Sequence, residues 1–461
     1  MDRKRQKSNE GKDIMSNLPE QIMSQILSCL PIRDAVRTSV LSKTWIGRWT
    51  CVTKLELNEH IFYHGKKKTG KQHFIDFVNR SLLLTESSSV QSFILVIFNK
   101  HDPSVVNTWM ANILGRRVKK LDLRLDHDLN LSALSSHNLF MKNKYYMEEL
   151  VLHMSRCAIR IPTPSYSYGY FHFSNLEFLD LSGITFTFHL KDVRLSCPVL
   201  KELKTKNCYW LRVKCVTFEV PLLERFSVEH GSSKAVSGEE SLNNFAAMIK
   251  ICSSRLTEFT WGGYMLEDLV FADPSSAKGA TANIILRRPK NVTLQETQIR
   301  ISRLFKQFTQ VKCLNLVGTQ VLAECKVSLT TLPWMKMLTS LELDLVNGET
   351  LLGLLHMSPV IRTLEFTGIS MFEKEILNSA AVPKCLLSTL EVVKFGRIHG
   401  SEHELCLAKF IVENALVLKR MSFSYYGWQR ESKAIEDFKE KLFTFKKGFK
   451  CAIIDFHHAG Y

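Results

Sequence analysis

The chain has 461 residues, of which 45% are hydrophobic, so it is long for one ordinary domain and has enough apolar material for two or three cores. Its 61 Lys and Arg exceed its 45 Asp and Glu and give a net charge of +16, but these residues form no single stripe and do not alternate with aromatic residues. The composition therefore argues against a disordered chain and does not favour a nucleic-acid partner.

The 12 cysteines are scattered without a C-x-x-C pair, which argues against a disulfide framework or a zinc site. No apolar stretch approaches the roughly 20 residues needed to cross a bilayer. Residues 1–12 are charged, unlike a secretory signal, and are expected to be a basic disordered tail. Within them, Arg3 to Arg5 is either a nuclear import signal or simply a solvated run. We expect a protein of the nucleus or cytoplasm with no membrane partner and no cofactor.

Residues 13–57 have the apolar spacing of short helices and differ from the rest of the chain. In the first helix, apolar residues recur at intervals of three and four, at Ile22, Met23, Ile26, Leu27 and Leu30. Pro31 ends this helix and begins a second, and Ser42 is expected to cap a third that carries Trp45 and Trp49 on one face. Three short helices make a marginal core, which often depends on a partner for its stability.

This helical segment is similar to a known domain, the F-box of plant proteins. The residues that carry the resemblance are Leu18-Pro19, Ile22, Ile26, Leu30-Pro31, the run from Ala35 to Trp45, and Trp49. The resemblance implies docking onto a small acidic adaptor subunit of the Skp type, which bridges to a cullin scaffold carrying a RING subunit. The residues expected to form or support this apolar interface are Leu18, Pro19, Ile22, Ile26, Leu30, Pro31, Val40, Leu41 and Trp45. The alternative, a purely structural role in the helical core, is favoured for Leu27 and Val36.

The template L-x-x-L-x-L, typical of the strand in a leucine-rich repeat, recurs along the rest of the chain. Clear copies begin at Val118, Leu176, Leu223, Leu256, Val311, Leu338 and Ile361, and weaker copies at Met147, Leu200, Leu390 and Leu418. Most fourth positions are 23 to 33 residues apart, and within the one gap of 55 residues the segment 283–286 predicts a further strand. Return segments at 193–195, 245–249 and 351–355 are predicted to be helical. We therefore predict an α/β fold in which an irregular solenoid of parallel strands follows the helical module.

Residues between the apolar positions of each predicted strand should face outward, onto the concave side of such a solenoid. The candidates for binding a target protein are Asp122, Arg124, Asp180, Lys204, Asn315, Glu342, Asp344 and Glu365. Each one alone is an ordinary solvated strand residue. Only the surface as a whole indicates protein binding.

From residue 383 onward the chain resembles the FBD domain that often ends plant F-box proteins with leucine-rich repeats. The resemblance rests on residues 390–395 and 410–421, and on a helical pattern from Ala434 to Phe445 that precedes an apolar run at 451–454. The predicted domains are thus a tail at 1–12, an F-box at 13–57, leucine-rich repeats at 58–382 and an FBD-like region at 383–461.

One segment offers an enzymatic alternative, since residues 65–72 fit seven positions of the phosphate-loop motif G-x-x-x-x-G-K-[ST]. Its eighth position is Gln72, where the motif needs a hydroxyl for magnesium, and no catalytic, cofactor or metal residues are predicted. The resemblance implies a non-catalytic, substrate-recognition adaptor of an SCF-type cullin-RING ubiquitin ligase. The alternatives are a leucine-rich-repeat scaffold with a non-functional F-box and a phosphate-loop nucleotide-binding protein.

Overall fold

The computed structural model describes residues 18–62, 67–86, 90–126, 145–160, 170–187, 190–231, 248–264, 268–288, 292–329, 332–369, 381–425, 433–446 and 453–458. The chain divides into two compact units, residues 1–162 and residues 163–461. Both combine parallel strands with helices, which confirms the α/β class. The predicted tail, residues 1–12, lies outside the described residues.

The first unit begins with two short helices, α1 (Glu20–Ser28) and α2 (Ile32–Arg37). Pro19 and Pro31 stand immediately before them, at a position where the missing amide hydrogen of proline costs nothing. This arrangement confirms the first two predicted helices.

The third predicted helix is replaced by short 3-10 turns within residues 38–51, all of which are described. Gly47 has a φ of +79°, which interrupts helical geometry, and Ser42 makes no side-chain cap because its hydroxyl lies 2.6 Å from the hydroxyl of Thr44. The prediction of a third α-helix was therefore wrong. The tryptophans assigned to it, Trp45 and Trp49, are nevertheless buried.

Hydrogen bonds join α1 to the chain that enters the first strand, β1 (Lys54–Asn58). The Ser24 hydroxyl donates to the carbonyl of Cys51 at 2.8 Å, and the Thr53 amide donates to the Ser28 hydroxyl at 3.0 Å. Ser28 also donates to the carbonyl of Ser24 at 2.7 Å, so these contacts form one connected set. The helical module and β1 are therefore held in a fixed orientation.

Parallel strands alternate with helices in the rest of this unit. In chain order the elements are β1, α3 (Lys67–Leu84), β2 (Ser92–Ile97), α4 (Pro103–Leu114), β3 (Lys120–Leu125) and β4 (Glu149–Arg160). Leu55, Phe93, Leu121 and Leu150 lie side by side in the register. The first two of these strands were missed, although the runs beginning at Val52 and Val90 fit the repeat template.

The second unit contains the remaining described strands. In chain order these are β5 (Tyr170–His172), β6 (Phe178–Thr187), β7 (Asp192–Ser196), β8 (Glu202–Lys206), β9 (Tyr209–Leu211), β10 (Cys215–Glu219), β11 (Arg225–His230), β12 (Met248–Cys252), β13 (Glu258–Tyr264), β14 (Asp268–Phe271), β15 (Thr281–Arg287), β16 (Cys313–Val317), β17 (Ser340–Leu343), β18 (Thr363–Phe366), β19 (Val392–Phe395), β20 (Arg420–Tyr425) and β21 (Ile453–His458). Its helices are α5 (Leu294–Phe305), α6 (Gln320–Glu324), α7 (Gly348–Met357), α8 (Lys384–Ser388), α9 (Glu402–Asn414) and α10 (Lys433–Lys446).

The main sheet of this unit runs in the order β6-β8-β11-β13-β15-β16-β17-β18-β19-β20-β21, with each strand parallel to the next. One residue per strand is aligned across it: Leu179, Leu203, Phe226, Phe259, Ala282, Leu314, Leu341, Leu364, Val393, Met421 and Ile454. In the copies found by sequence these are the fourth positions of the template. The strand predicted at 283–286 is confirmed as β15.

A second parallel sheet, in the order β14-β12-β10-β7-β5, corrects two predicted helices. Val193 and Leu195 lie in β7, and Ile249 lies in β12; residues 245–247 are outside the described part. Alternate residues of these strands are buried, which is the period of a strand rather than of a helix. The third predicted return helix, at 351–355, is confirmed within α7.

The helix and strand predicted at the carboxyl end pack against the sheet through phenylalanines. Phe395 and Phe423 stack at 4.7 Å between ring centroids, and Phe423 and Phe456 stack at 5.0 Å. Phe438 of α10 meets the edge of Phe423 at 5.4 Å. Such aromatic contacts stabilise beyond the burial of area alone, so α10 and β21 are integral to this unit.

Gly318, just after β16, fits a space that no other residue can occupy. Its φ is +84°, and a Cβ atom there would lie 2.1 Å from the carbonyl oxygen of Leu286. Its amide donates to the Asp344 carboxylate at 2.8 Å. The strand end is therefore closed by a glycine for two independent reasons, conformation and space.

Substitution separates these two reasons, because Gly279 has a similar φ of +75° but open space around its Cβ position. We expect Gly279→Ala to lower the free energy of unfolding by about 1 kcal/mol, the cost of left-handed backbone. We expect Gly318→Ala to lower it by about 3 kcal/mol or more, since strain and backbone collision add. Urea unfolding of the two variants measures the difference, and equal effects would contradict the proposed collision.

Glu59 is a fully buried carboxylate in the first unit. It accepts hydrogen bonds from the amides of Phe98 (2.9 Å) and Asn99 (3.0 Å), from the Asn99 side chain (3.1 Å) and from His101 Nε2 (2.8 Å). Burial alone would raise the pKa of this carboxyl, but the hydrogen bonds outweigh it and lower the pKa to about 2. Glu59 thus fixes the turns after β1 and β2 to each other.

This lowered pKa predicts acid sensitivity of the first unit. A depressed carboxyl pKa stabilises the fold above the ordinary glutamate value, and that stability is lost as pH falls from about 4.5 toward 2. The loss should reach about 3 kcal/mol. Urea unfolding of wild type and Glu59→Gln at several pH values checks this: the variant should be weaker at neutral pH and should lose less on acidification. A parallel pH dependence of both proteins would contradict it.

Candidate functional site

The first candidate surface is an exposed apolar patch on the N-terminal helical module. It consists of Ile22, Leu30, Val40, Leu41 and Ile46, which are 42%, 38%, 86%, 66% and 66% exposed. Four of these were predicted to contact an adaptor, and Ile46 was missed. Large apolar side chains left open on so small a module are typical of surfaces that bind another protein.

The other predicted interface residues surround or support this apolar patch. Pro19 and Pro31 are exposed, and Leu18 and Ile26 are half-buried. Trp45 is only 4% exposed, so it belongs to the core beneath the patch and supports it from within. The two residues assigned to the core are placed differently, since Leu27 is fully buried and Val36 half-buried.

The second candidate surface is the sheet face, formed by the outward side chains of the main sheet in the second unit. Its middle row, aligned across neighbouring strands, reads Asp180, Lys204, Ser227, Thr260, Asn283, Asn315, Glu342, Glu365, Lys394 and Ser422. All are at least partly exposed. Five of the predicted target-binding residues therefore share one row.

Several charges of this face are already paired within the chain. Lys394 Nζ donates to Glu365 at 2.9 Å, and Glu202 accepts from both Lys204 and Arg225. In the first unit, Arg124 and Asp122 are likewise bonded to each other, at 2.9 and 3.0 Å. Exposed pairs of this kind contribute little stability, so their charges stay accessible to a partner at small cost.

Asp344 has a different role from the outward position predicted for it. Its carboxylate accepts from the amides of Gly318 at 2.8 Å and Thr319 at 3.1 Å, at the start of α6. Its own carbonyl accepts from the Thr319 hydroxyl at 3.3 Å. The side chain is half-buried and ties two neighbouring repeats together, because the strand has ended at Leu343 and alternation no longer applies.

A shallow cleft of about 440 Å³ lies on the sheet face over β8, β11 and β13. Its lining includes Glu202, Lys204, Arg225, Ser227 and Thr260. Glu229 and Glu258 also line it, so acidic, basic and hydroxyl groups all border the cleft. Such a lining suits polar side chains of a protein partner better than an apolar small molecule.

The phosphate-loop alternative fails on local geometry. Gly70 and Lys71 lie inside α3, whereas the motif requires them in the loop before a helix. Lys71 Nζ donates to the carbonyl of Lys100 at 2.6 Å. Gly65 and Lys66 lie outside the described residues.

Within the described part of the chain, His, Cys, Asp and Glu side chains form no group that could hold a metal ion. Over the same residues, no helix combines the length and apolarity needed to span a membrane.

A helical module with exposed apolar side chains, followed by one parallel strand per repeat, is the architecture of a leucine-rich-repeat protein with an N-terminal helical module. Comparison with known families assigns both ends. The family model of the F-box domain matches residues 15–49, and that of FBD matches residues 378–423.

Curated relatives cover nearly the whole chain. An F-box/LRR-repeat protein of Arabidopsis thaliana is 26% identical over 94% of this chain and 96% of its own length. An F-box/FBD/LRR-repeat protein of the same plant is 24% identical over 91% of each chain. A further F-box/LRR-repeat protein reaches 32% identity over 47% of this chain and 41% of its own. The chain is thus similar, over most of its length, to Arabidopsis F-box/FBD/LRR-repeat proteins.

Proposed function

We propose that this chain is a substrate-recognition adaptor of an SCF-type cullin-RING ubiquitin ligase. In this role the apolar patch binds a Skp-type adaptor, which links the chain to the cullin and RING subunits, and the sheet face binds the protein to be ubiquitinated. The observation that carries the proposal is the exposure of Val40 and Leu41 within a segment that matches the F-box domain. The chain itself performs no chemistry in this scheme.

The adaptor interface predicts a strong effect of truncating the two most exposed residues. Val40→Ala with Leu41→Ala should weaken binding to a plant Skp-type adaptor by about 2 kcal/mol for each buried anchor, or roughly a thousandfold together. Isothermal titration calorimetry with purified adaptor measures the change. Leu18→Ala with Pro19→Ala, at the start of α1, should weaken binding in the same direction.

Leu416→Ala provides the matched control, since Leu416 is 74% exposed but lies in the second unit, outside the segment that matches the F-box domain. It should leave adaptor affinity within twofold of wild type. If the wild-type chain, folded by circular dichroism, forms no complex at micromolar concentration, the alternative of a repeat scaffold with a non-functional F-box replaces this proposal.

Target binding by the sheet face can be tested without unfolding it. Glu365→Lys with Lys394→Glu exchanges the two charges of one ion pair, so the pair is kept while the surface charges are reversed. Proximity labelling in plant cells, using a chain that cannot bind the adaptor, captures targets before they are degraded. The exchange should remove specific proteins from the captured set, because complementary charges set partner choice.

The control is the same exchange in the ion pair on α9, Lys409→Glu with Glu413→Lys, whose side chains are 3.6 Å apart and equally exposed. This variant should capture the wild-type set. If the exchange on the sheet face left the captured proteins unchanged while the exchange on α9 altered them, target recognition would instead be assigned to the helices of the second unit.

A further inference from the structure

The sheet face carries uncharged side chains in the middle of its length. Asn283 on β15 and Asn315 on β16 are register partners, and Ile285 and Val317 are partners two residues further along the same strands. All four are at least partly exposed, Val317 to 38%. These two amides beside two aliphatic side chains form what we call the amide–aliphatic patch.

Glu342 on β17 borders this patch as the register partner of Asn315. Its neighbour on the other side is Glu365, whose carboxylate is bonded to Lys394. In the described part of the chain, no cation lies within ion-pair distance of Glu342. Burial and the charge of Glu365 raise the pKa of Glu342, and the charge of Lys394 offsets this only in part.

We propose that the amide–aliphatic patch and Glu342 together bind an extended segment of the target protein in which a lysine or arginine stands two positions from a large apolar residue. This inference rests on the target-binding role proposed above and names the chemistry of the target. The apolar side chain covers Ile285 and Val317, and the cation pairs with Glu342. The Asn315 amide donates to and accepts from the peptide backbone. Asn283, whose Nδ2 donates to Glu258 Oε1 at 3.1 Å within the chain, offers its amide oxygen as an acceptor.

The spacing of the three groups fits such a segment. Neighbouring strands are about 4.8 Å apart, and residues two apart along a strand are about 6.8 Å apart, so Val317 and Glu342 are separated diagonally by about 8 Å. Alternate residues of an extended peptide are about 7 Å apart on one face. A long basic side chain spans the remaining distance. An acidic residue in its place would meet Glu342 and Glu365 and be repelled.

Selection from a random linear peptide library against the purified full-length chain tests the inference. We expect enrichment of peptides with a basic residue two positions from a large apolar one. For the most enriched peptide, Glu342→Gln and Val317→Ser should each lower affinity about tenfold, measured by fluorescence anisotropy. Asp192→Asn, which removes an exposed acid from β7 of the second sheet, should change affinity less than twofold.

Enrichment of acidic or charge-free peptides, or equal effects of Glu342→Gln and Asp192→Asn, would overturn the inference. The selection needs no adaptor, so its failure is distinct from failure of the proposed function. A chain that binds the Skp-type adaptor and captures targets, but selects no basic and apolar peptide, would lose only this assignment. A chain that selects the peptide but binds no adaptor would keep it and lose the ligase role.

Discussion

The register of the parallel strands fixes the position of every outward side chain in the main sheet. Each strand places one apolar residue beside the equivalent residue of its neighbour, and from Leu179 to Met421 all of these are buried. A slip of one position would turn this buried set outward and the charged set inward, because side chains alternate along a strand. The same pairing that forms the core therefore aligns the middle row of the sheet face, including the neighbours Asn315 and Glu342.

Sequence patterns predicted the elements in which the buried positions repeat, and failed where the pattern was short. The template located β3 and β4 of the first unit and, in the main sheet, β6, β8, β11, β13 and β16 to β20. The gap between two copies indicated the strand at 283–286, β15, where Ala282 stands in place of a large residue. Two strands of the second sheet, β7 and β12, were predicted as helices, because a segment as short as 193–195 does not define a period. Asp344 was misplaced because alternation ends with β17, one residue before it.

In the N-terminal helical module, apolar spacing determines which residues of a helix are exposed, but local turns determine the exposure of residues outside the helices. Helical spacing correctly separated Leu27 in the core from Ile22 on the surface. It did not predict that Ile46 would be 66% exposed, since that depends on the turns that replace a third helix. Eight of the predicted interface residues lie in or before α1 and α2 or on the turn after them. The ninth, Trp45, lies in a later turn and is buried.

The connections between strands of the main sheet differ in length while the sheet itself does not change. Equivalent positions are 23 residues apart between β8 and β11 but 33 residues apart between β11 and β13. Extra residues are accommodated in the return segments, where lengthening a loop costs only a few tenths of a kcal/mol. Insertions and deletions there leave the outward rows in place. A protein built this way can gain or lose whole stretches of chain between its strands and still present the same surface to its target.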